Sequence, residues 1–322
     1  MSILILMVLI VLIFDFTNGF HDTANVVAAP IATGAISTKK GILLAAIFNL
    51  MGAMQVSGVA QTMTTGIVHL DGLSEITVII ATSAAILWNI ITWYFAIPSS
   101  SSYALIGGLM GSSFVKGGLK VILWKSILYK VILPMLLAPF VGALFGALVM
   151  YALMKIQQRN HSFYQKAQIG SLMLMAFSHG LNDTQKSMGI ITMGLVAAKV
   201  LSFPVIPIWV VGACALTMAL GTAAGGIKII QTVGYGITTL HPKDGCASQL
   251  GASLVVLGAS FLGIPLSSTQ IMTGSIAGIT LMNQEGLQWK TLYKMVIIWI
   301  LTLPGTAGVA AIFSRVFSCL TS

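Results

Sequence analysis

The chain has 322 residues, of which 57% are hydrophobic and 7% are charged, and its mean hydropathy is +0.97. A soluble domain carries about 25% charged residues, so this composition cannot form a water-exposed surface. The net charge of +9 is scattered over short stretches between apolar runs, which argues against a nucleic-acid-binding surface and is typical of membrane loops. Because the apolar runs are helix-length, we predict an all-α integral membrane protein.

The first predicted segment, residues 1–37, contains a polar interruption. A straight helix of this length would measure about 55 Å at 1.5 Å per residue, whereas a hydrocarbon core is about 30 Å thick. Asn18-Gly19 is a turn-type dipeptide, so we expect a break between Asp15 and Asp22. The other segments predicted in the first half are 41–60, 76–97, 103–115 and 127–154.

Segments three and four meet at Pro98, which is followed by the serines of 99–102. Proline suits the first turn of a helix, and serines there can cap free N–H groups. These two segments either both cross the membrane or form a hairpin that dips in and returns.

The polar stretch 155–166 is the predicted connecting loop between a first membrane repeat, 1–154, and a second one, 167–322. Segment six, 167–199, is expected to break between Gly180 and Asp183. Segments 205–222, 246–263, one that opens at Pro265, and 292–313 complete the second half.

Two motifs occur once in each half, which indicates that the second half of the chain repeats the first. Residues 16–25 read FTNGFHDTAN and residues 177–186 read FSHGLNDTQK, so aligning Gly19 with Gly180 places Asp22 over Asp183. Pro98 and Pro265 are each followed, 9 and 13 residues later, by the glycines of a G-x-x-x-G pair, which lets helices approach closely. These glycines are Gly107 and Gly111 in the first half, and Gly274 and Gly278 in the second.

Each half has an odd number of segments, which predicts two inverted-topology repeats. Counting broken or re-entrant helices, we expect about 10–12 transmembrane segments by the length rule for spanning helices. With both termini outside, most lysines and arginines fall inside, but Lys116, Lys120, Lys125 and Lys130 do not. This cluster leaves the absolute orientation open.

Ionisable residues inside apolar segments are candidate functional residues. Carbonyls freed at a helix break would join side-chain oxygens as hard ligands for Na⁺ or a proton relay. The predicted ligands of the coupling cation are Asp22, Asn25, Asp183 and Gln185. The hydroxyl-rich helix starts are predicted to form an anion cradle from Ser100, Ser101, Ser102, Ser267, Ser268 and Thr269.

Simpler interpretations stand beside these. Membrane serines often bond only to a preceding carbonyl. Asp183 and Lys186 are spaced for an i,i+3 ion pair. His21 and His179 serve either as proton relays or as neutral hydrogen-bond partners, and Asp15 is interpreted as a boundary or bundle-facing residue.

At these residues the chain closely resembles the inorganic phosphate transporter (Pit) family, whose halves carry G-x-N-D-x-A-N-type and P-x-S-T-T-H-type signatures. The matching stretches here are 19–25, 180–186, 98–103 and 265–270. The resemblance implies a secondary symporter for inorganic phosphate, with phosphate near the hydroxyl-bearing helix starts and coupling cations near the paired aspartates. Thr23 and Thr184 are also predicted to bind phosphate. Tyr103 and Gln270 stand where the family often has histidine.

The predicted function is therefore phosphate symport by alternating access, coupled to Na⁺ or H⁺, in the cell inner (plasma) membrane as a multi-pass protein. No bound cofactor or nucleic acid is expected; the partners are phosphate, the coupling cation and the bilayer. A divalent metal travelling with phosphate and a homodimer are left open. The alternative is a permease for sulfate or another oxyanion. An enzyme acting on lipid phosphates is disfavoured because only Arg159 and Arg315 could supply guanidinium clamps.

Overall fold

The computed structural model describes residues 2–56, 58–70, 73–156 and 160–321. Nearly all of them are helical, as the apolar runs predict. The first half contains α1 (Ser2–Ala32), α2 (Thr38–Ala53), α3 (Gly58–Thr65), α4 (Glu75–Tyr94), α5 (Ser101–Gly117), α6 (Trp124–Ile127) and α7 (Leu133–Lys155). The second contains α8 (His161–Ala197), α9 (Ile208–Ala224), α10 (Ile227–Tyr235), α11 (Pro242–Phe261), α12 (Ser268–Met282) and α13 (Trp289–Thr321).

Four helical stretches in this part of the chain are long and apolar enough to cross a bilayer. They are α1, α4, the stretch Trp124–Lys155 and Trp289–Leu320, and the number rises to 6 if each bent pair counts as one span. This is fewer than the predicted 10–12 segments. One reason is that α5 and α12 have only 17 and 15 residues, too short for a hydrocarbon core of about 30 Å.

The predicted breaks at the two motifs are wrong, because α1 and α8 run through them without interruption. Gly19 instead lies against the backbone of Met218 on α9, and Gly180 lies against the backbone of Asn49 on α2. A glycine at a helix crossing lets two backbones approach, so here its small size matters more than its turn propensity. The bends occur elsewhere, at 71° between α2 and α3 and at 70° between α9 and α10.

The connection between the halves is shorter than the predicted loop 155–166. α7 reaches Lys155, and α8 begins at His161, where the Asn160 side chain accepts a hydrogen bond of 2.9 Å from the Phe163 N–H. This cap starts the helix six residues, more than one and a half turns, earlier than expected. Residues 157–159 of the predicted loop lie outside the described residues.

Corresponding helices of the two halves pack against corresponding partners. α1 packs on α9 as α8 packs on α2, and α5 packs on α13 as α12 packs on α7. Gly107 and Gly111 face α13 carbonyls, while Gly274 and Gly278 face α7 carbonyls, so both predicted G-x-x-x-G contacts exist. The halves are therefore copies in three dimensions; their opposite orientation in the membrane remains a prediction.

Two hairpins bring helix starts into the protein interior. α4 packs against α5, and α11 packs against α12. The first residues of α5 and α12, Ser101 and Ser268, are both buried. Each hairpin therefore delivers a helix N-terminus to the region between the long helices α1 and α8.

Candidate functional site

The two motif carboxylates meet at the centre of the protein. One ligand atom each from Asp22 on α1, and from His179 and Asp183 on α8, lie within 4.8 Å of one another, and all three residues are buried. Carboxylate oxygens and an imidazole nitrogen at this spacing could hold a cation. The structure thus brings together the two aspartates that the duplicated motif paired.

Asp22 is surrounded by hydroxyl and imidazole groups. Its Oδ2 accepts a hydrogen bond of 2.8 Å from Ser101 Oγ, and its Oδ1 accepts one of 3.5 Å from Thr269 Oγ1. The Nδ1 of His21 lies 2.9 Å from Oδ1, and Ser101 Oγ also contacts the Asn18 side chain. Helix starts from both halves therefore touch one carboxylate.

Asn25 extends this contact to the second hairpin. Its Nδ2 donates to Thr269 Oγ1 at 2.9 Å and to Ser268 Oγ at 3.3 Å. A residue of α1 is thereby tied to the first turn of α12. The predicted cation ligand Asn25 and two predicted anion-binding hydroxyls belong to one cluster.

Asp183 is paired on both sides. Its Oδ1 contacts Lys186 Nζ, which confirms the i,i+3 ion pair that the spacing predicts. Its Oδ2 lies 3.0 Å from His179 Nε2, although the orientation of the two groups does not meet hydrogen-bond geometry. Both charged side chains are buried, and their mutual contact offsets part of the cost of removing each from water.

Lys186 reaches across to the start of α5. Its Nζ donates to Ser102 Oγ and, at 2.8 Å, to the carbonyl oxygen of Leu266 just before α12. Ser102 Oγ in turn donates to the same carbonyl at 3.2 Å. The ammonium group therefore sits where the two hairpins meet.

Several predicted ligands have other local roles. Ser100 and Ser267 cap α5 and α12 by accepting N–H bonds of 3.3 Å from Tyr103 and Gln270. Thr23 Oγ1 donates to the carbonyl of Gly19 at 2.6 Å and contacts the carbonyl of Thr222 at 3.2 Å, which turns it toward α9.

Two further predicted ligands stand apart from the contacts around Asp22. Thr184 is buried, and its hydroxyl has no hydrogen-bond partner within the described part of the chain. Gln185 donates through Nε2 to the carbonyl of Gln55, at the bend after α2, so its described hydrogen bond leads away from Asp183. Its role as a cation ligand stays a prediction.

Sequence reasoning missed Asn18 and gave His179 no ligand role. Asn18 precedes Asp22 by four positions, and His179 precedes Asp183 by four, so each pair shares a helix face. The signal was present in the spacing. The break predicted between the members of each pair hides it.

The fold and the buried polar site around Asp22 and Asp183 together define a class of protein. It is a multi-pass helical membrane protein whose two repeated halves enclose buried polar groups between them, as in secondary transporters. A model of the phosphate transporter family matches residues 18–163 and 154–310. The chain belongs to the phosphate transporter family, and it is a transporter rather than an enzyme.

Curated relatives agree over nearly the whole chain. A protein of Bacillus subtilis (strain 168) named "Probable low-affinity inorganic phosphate transporter" is 40% identical over 318 residues, covering 96% of this chain and 95% of the relative. A protein of the same name from Rhizobium meliloti (strain 1021) is 34% identical, with 96% and 95% covered.

A solved structure titled "The sodium-dependent phosphate transporter" superposes with a TM-score of 0.88, covering 99% of this chain and 100% of that one. The two sequences are 24% identical, so this match shows the shared fold.

Proposed function

We propose that this protein is a secondary symporter that carries inorganic phosphate across the cell inner membrane, coupled to Na⁺ or H⁺, by alternating access. The observation that carries the proposal is the meeting of α5 and α12 at Asp22. The Ser101 hydroxyl lies 2.8 Å and the Thr269 hydroxyl lies 3.5 Å from its carboxylate oxygens, and these two residues belong to different halves of the chain.

Phosphate is proposed to bind at the paired helix starts. N-terminal N–H groups and the positive end of a helix dipole favour an anion. The hydroxyls of Ser101, Ser102, Ser268 and Thr269 lie at the same helix starts, and they would donate to phosphate by turning away from their present partners. The Lys186 ammonium, paired with Asp183, lies at the same junction. The names of the relatives, which specify inorganic phosphate, support this choice of anion.

The carboxylates explain why a cation must accompany the anion. Two unit charges about 4 Å apart interact by about 4 kcal/mol at an effective dielectric constant of about 20. Phosphate bound beside Asp22 would be repelled by this amount unless a cation neutralised the carboxylate. Cation and phosphate therefore promote each other's binding, which is the thermodynamic requirement for coupling.

Burial of the centre supports alternating access. Asp22 is 3% exposed, and Asp183, Ser101 and Thr269 are no more accessible than that. Ions can reach such a site only if helices move to open it. The two hairpins, repeated in the two halves, are the proposed moving elements, one for each side of the membrane.

The test is phosphate uptake into vesicles that contain the purified protein. Na⁺ and pH gradients are imposed separately, with divalent metal present or absent and with sulfate as competitor. Uptake driven by one cation gradient and blocked by excess phosphate but not by sulfate is expected. Uptake blocked by sulfate alone would favour the oxyanion alternative, and uptake indifferent to both gradients would contradict symport.

A further inference from the structure

The two motifs differ at one position that matters for charge. When Gly19 is aligned with Gly180, Asn25 falls opposite Lys186. Each side chain reaches the hairpin helix of the other half: Asn25 contacts Ser268 and Thr269, and Lys186 contacts Ser102. Equivalent positions thus hold a neutral amide in one half and an ammonium group in the other.

The surroundings of the Lys186 ammonium are those of a cation site. Its Nζ contacts a carboxylate oxygen of Asp183, the hydroxyl oxygen of Ser102 and the carbonyl oxygen of Leu266. Carboxylate, hydroxyl and carbonyl oxygens are the ligands that hard metal cations prefer. A lysine ammonium has three N–H donors, so these three oxygens satisfy it completely.

The first half lacks such a built-in charge. Among the described residues, Asp22 pairs with His21 but with no lysine or arginine, and the amide of Asn25 brings no positive charge. The charges of Asp183 and Lys186 cancel, whereas the described surroundings of Asp22 hold imidazole and hydroxyl groups but no permanently charged cation. A cation from outside the chain can therefore neutralise Asp22. The two equivalent carboxylates are therefore neutralised in different ways.

We propose that Lys186 is a tethered cation that occupies the cation position of the second half, so that a free coupling cation binds only around Asp22 and Asn25 in the first. This inference rests on the proposed symport. It means that one of two structurally equivalent cation positions takes no ion from solution, and that residue 186 determines whether the second position can accept Na⁺.

The test replaces Lys186 by the residue at the equivalent position. Lys186→Asn removes the ammonium group and adds an amide oxygen, which should create a Na⁺ site beside Asp183. Lys186→Met is the matched control, since it removes the same charge but offers no oxygen. Lys186→Gln provides a second amide variant in case the asparagine is too short to fill the space.

The readouts do not require transport. Binding of radioactive Na⁺ and thermal unfolding are measured on the purified full-length protein, with K⁺ replacing Na⁺ in the reference. Relative to the potassium reference, Na⁺ at about 100 times the Kd of the new site should raise the ratio of folded to unfolded amide variant about 100-fold more than it raises that of the unsubstituted protein. The methionine variant should show no Na⁺ effect beyond that of the unsubstituted protein.

Equal Na⁺ responses in the amide and methionine variants would overturn the inference. If the Lys186 variants do not fold, Asp22→Asn decides: it should bind no Na⁺, and residual Na⁺ binding to it would place a free cation in the second half. Failure of the unsubstituted protein to take up phosphate would count against the proposed symport alone, because gain of Na⁺ binding is measured without phosphate.

Discussion

Asn25 and Thr269 are 244 positions apart in the chain, yet the amide of Asn25 donates a 2.9 Å hydrogen bond to the threonine hydroxyl. The same hydroxyl lies 3.5 Å from Asp22 Oδ1. One threonine at the start of α12 thus contacts two candidate cation ligands on α1. Because it also stands at a helix N-terminus, anion and cation affinities should change together when it is altered.

We therefore expect Thr269→Val to weaken both phosphate and coupling-cation affinity. The substitution keeps the shape but removes one hydrogen bond from Asn25 and one from the Asp22 carboxylate. This loss should cost about 1–3 kcal/mol, or roughly 5- to 150-fold in affinity. Equilibrium binding of labelled phosphate at several cation concentrations measures the change. Thr273→Val, one turn later, is the control, since in the described residues the Thr273 hydroxyl has no hydrogen-bond partner. A loss of phosphate affinity with unchanged cation dependence would contradict the shared contact.

Neutralising either motif carboxylate should abolish coupled uptake without preventing insertion. Removing one partner of a buried, hydrogen-bonded charge pair costs about 2–5 kcal/mol, which corresponds to about 30-fold or more in affinity. Vesicle uptake and the amount of protein in the membrane are measured for Asp22→Asn and Asp183→Asn. Glu75→Gln, a carboxylate-to-amide change in the first turn of α4, should retain normal uptake. Full uptake activity of both asparagine variants would contradict the proposed role of Asp22 and Asp183 in binding the coupling cation.

The glycine contacts between α5 and α13 predict a stability difference between a glycine in this interface and a neighbouring glycine outside it. A methyl group added at Gly111 would overlap the carbonyl of Ala307, whereas at Gly308 nothing lies within 4 Å. Gly111→Ala should cost about 1–3 kcal/mol through overpacking, and Gly308→Ala should be neutral or stabilising by up to about 1 kcal/mol. Thermal unfolding in detergent compares them, and equal transition temperatures would show that the close approach is not required.

The capping box of α11 predicts a graded loss of stability. Asp244 Oδ2 accepts the His241 N–H at 3.0 Å, and Oδ1 accepts from Asn283 Nδ2 at 3.0 Å. Asp244→Ala should destabilise the protein by about 1–2 kcal/mol, because both bonds are lost. Asp244→Asn retains one oxygen acceptor and should cost less. An asparagine variant as unstable as the alanine variant would argue against these two bonds as the cause.

The membrane class and the duplication could be predicted from the sequence because both depend on composition and spacing. A chain with 7% charged residues cannot cover itself with polar surface, whatever its fold. The paired motifs at Asp22 and Asp183 show the repeat through residue identity alone. The spacing of Gly107 and Gly111 also predicted a close helix contact, which the structure confirms against α13.

Only the tertiary structure decided whether the helices break at the motifs and which polar groups face each other. Asn18-Gly19 favours a turn in isolation. In the folded protein α1 is continuous there, because the backbone of Met218 on α9 comes so close that only a glycine fits at position 19. Continuity places His179 on the same face as Asp183 and carries Lys186 to the junction of the two hairpins. Local propensity cannot contain this information, because the backbone against which Gly19 packs and the Ser102 hydroxyl that contacts Lys186 both come from the other half of the chain.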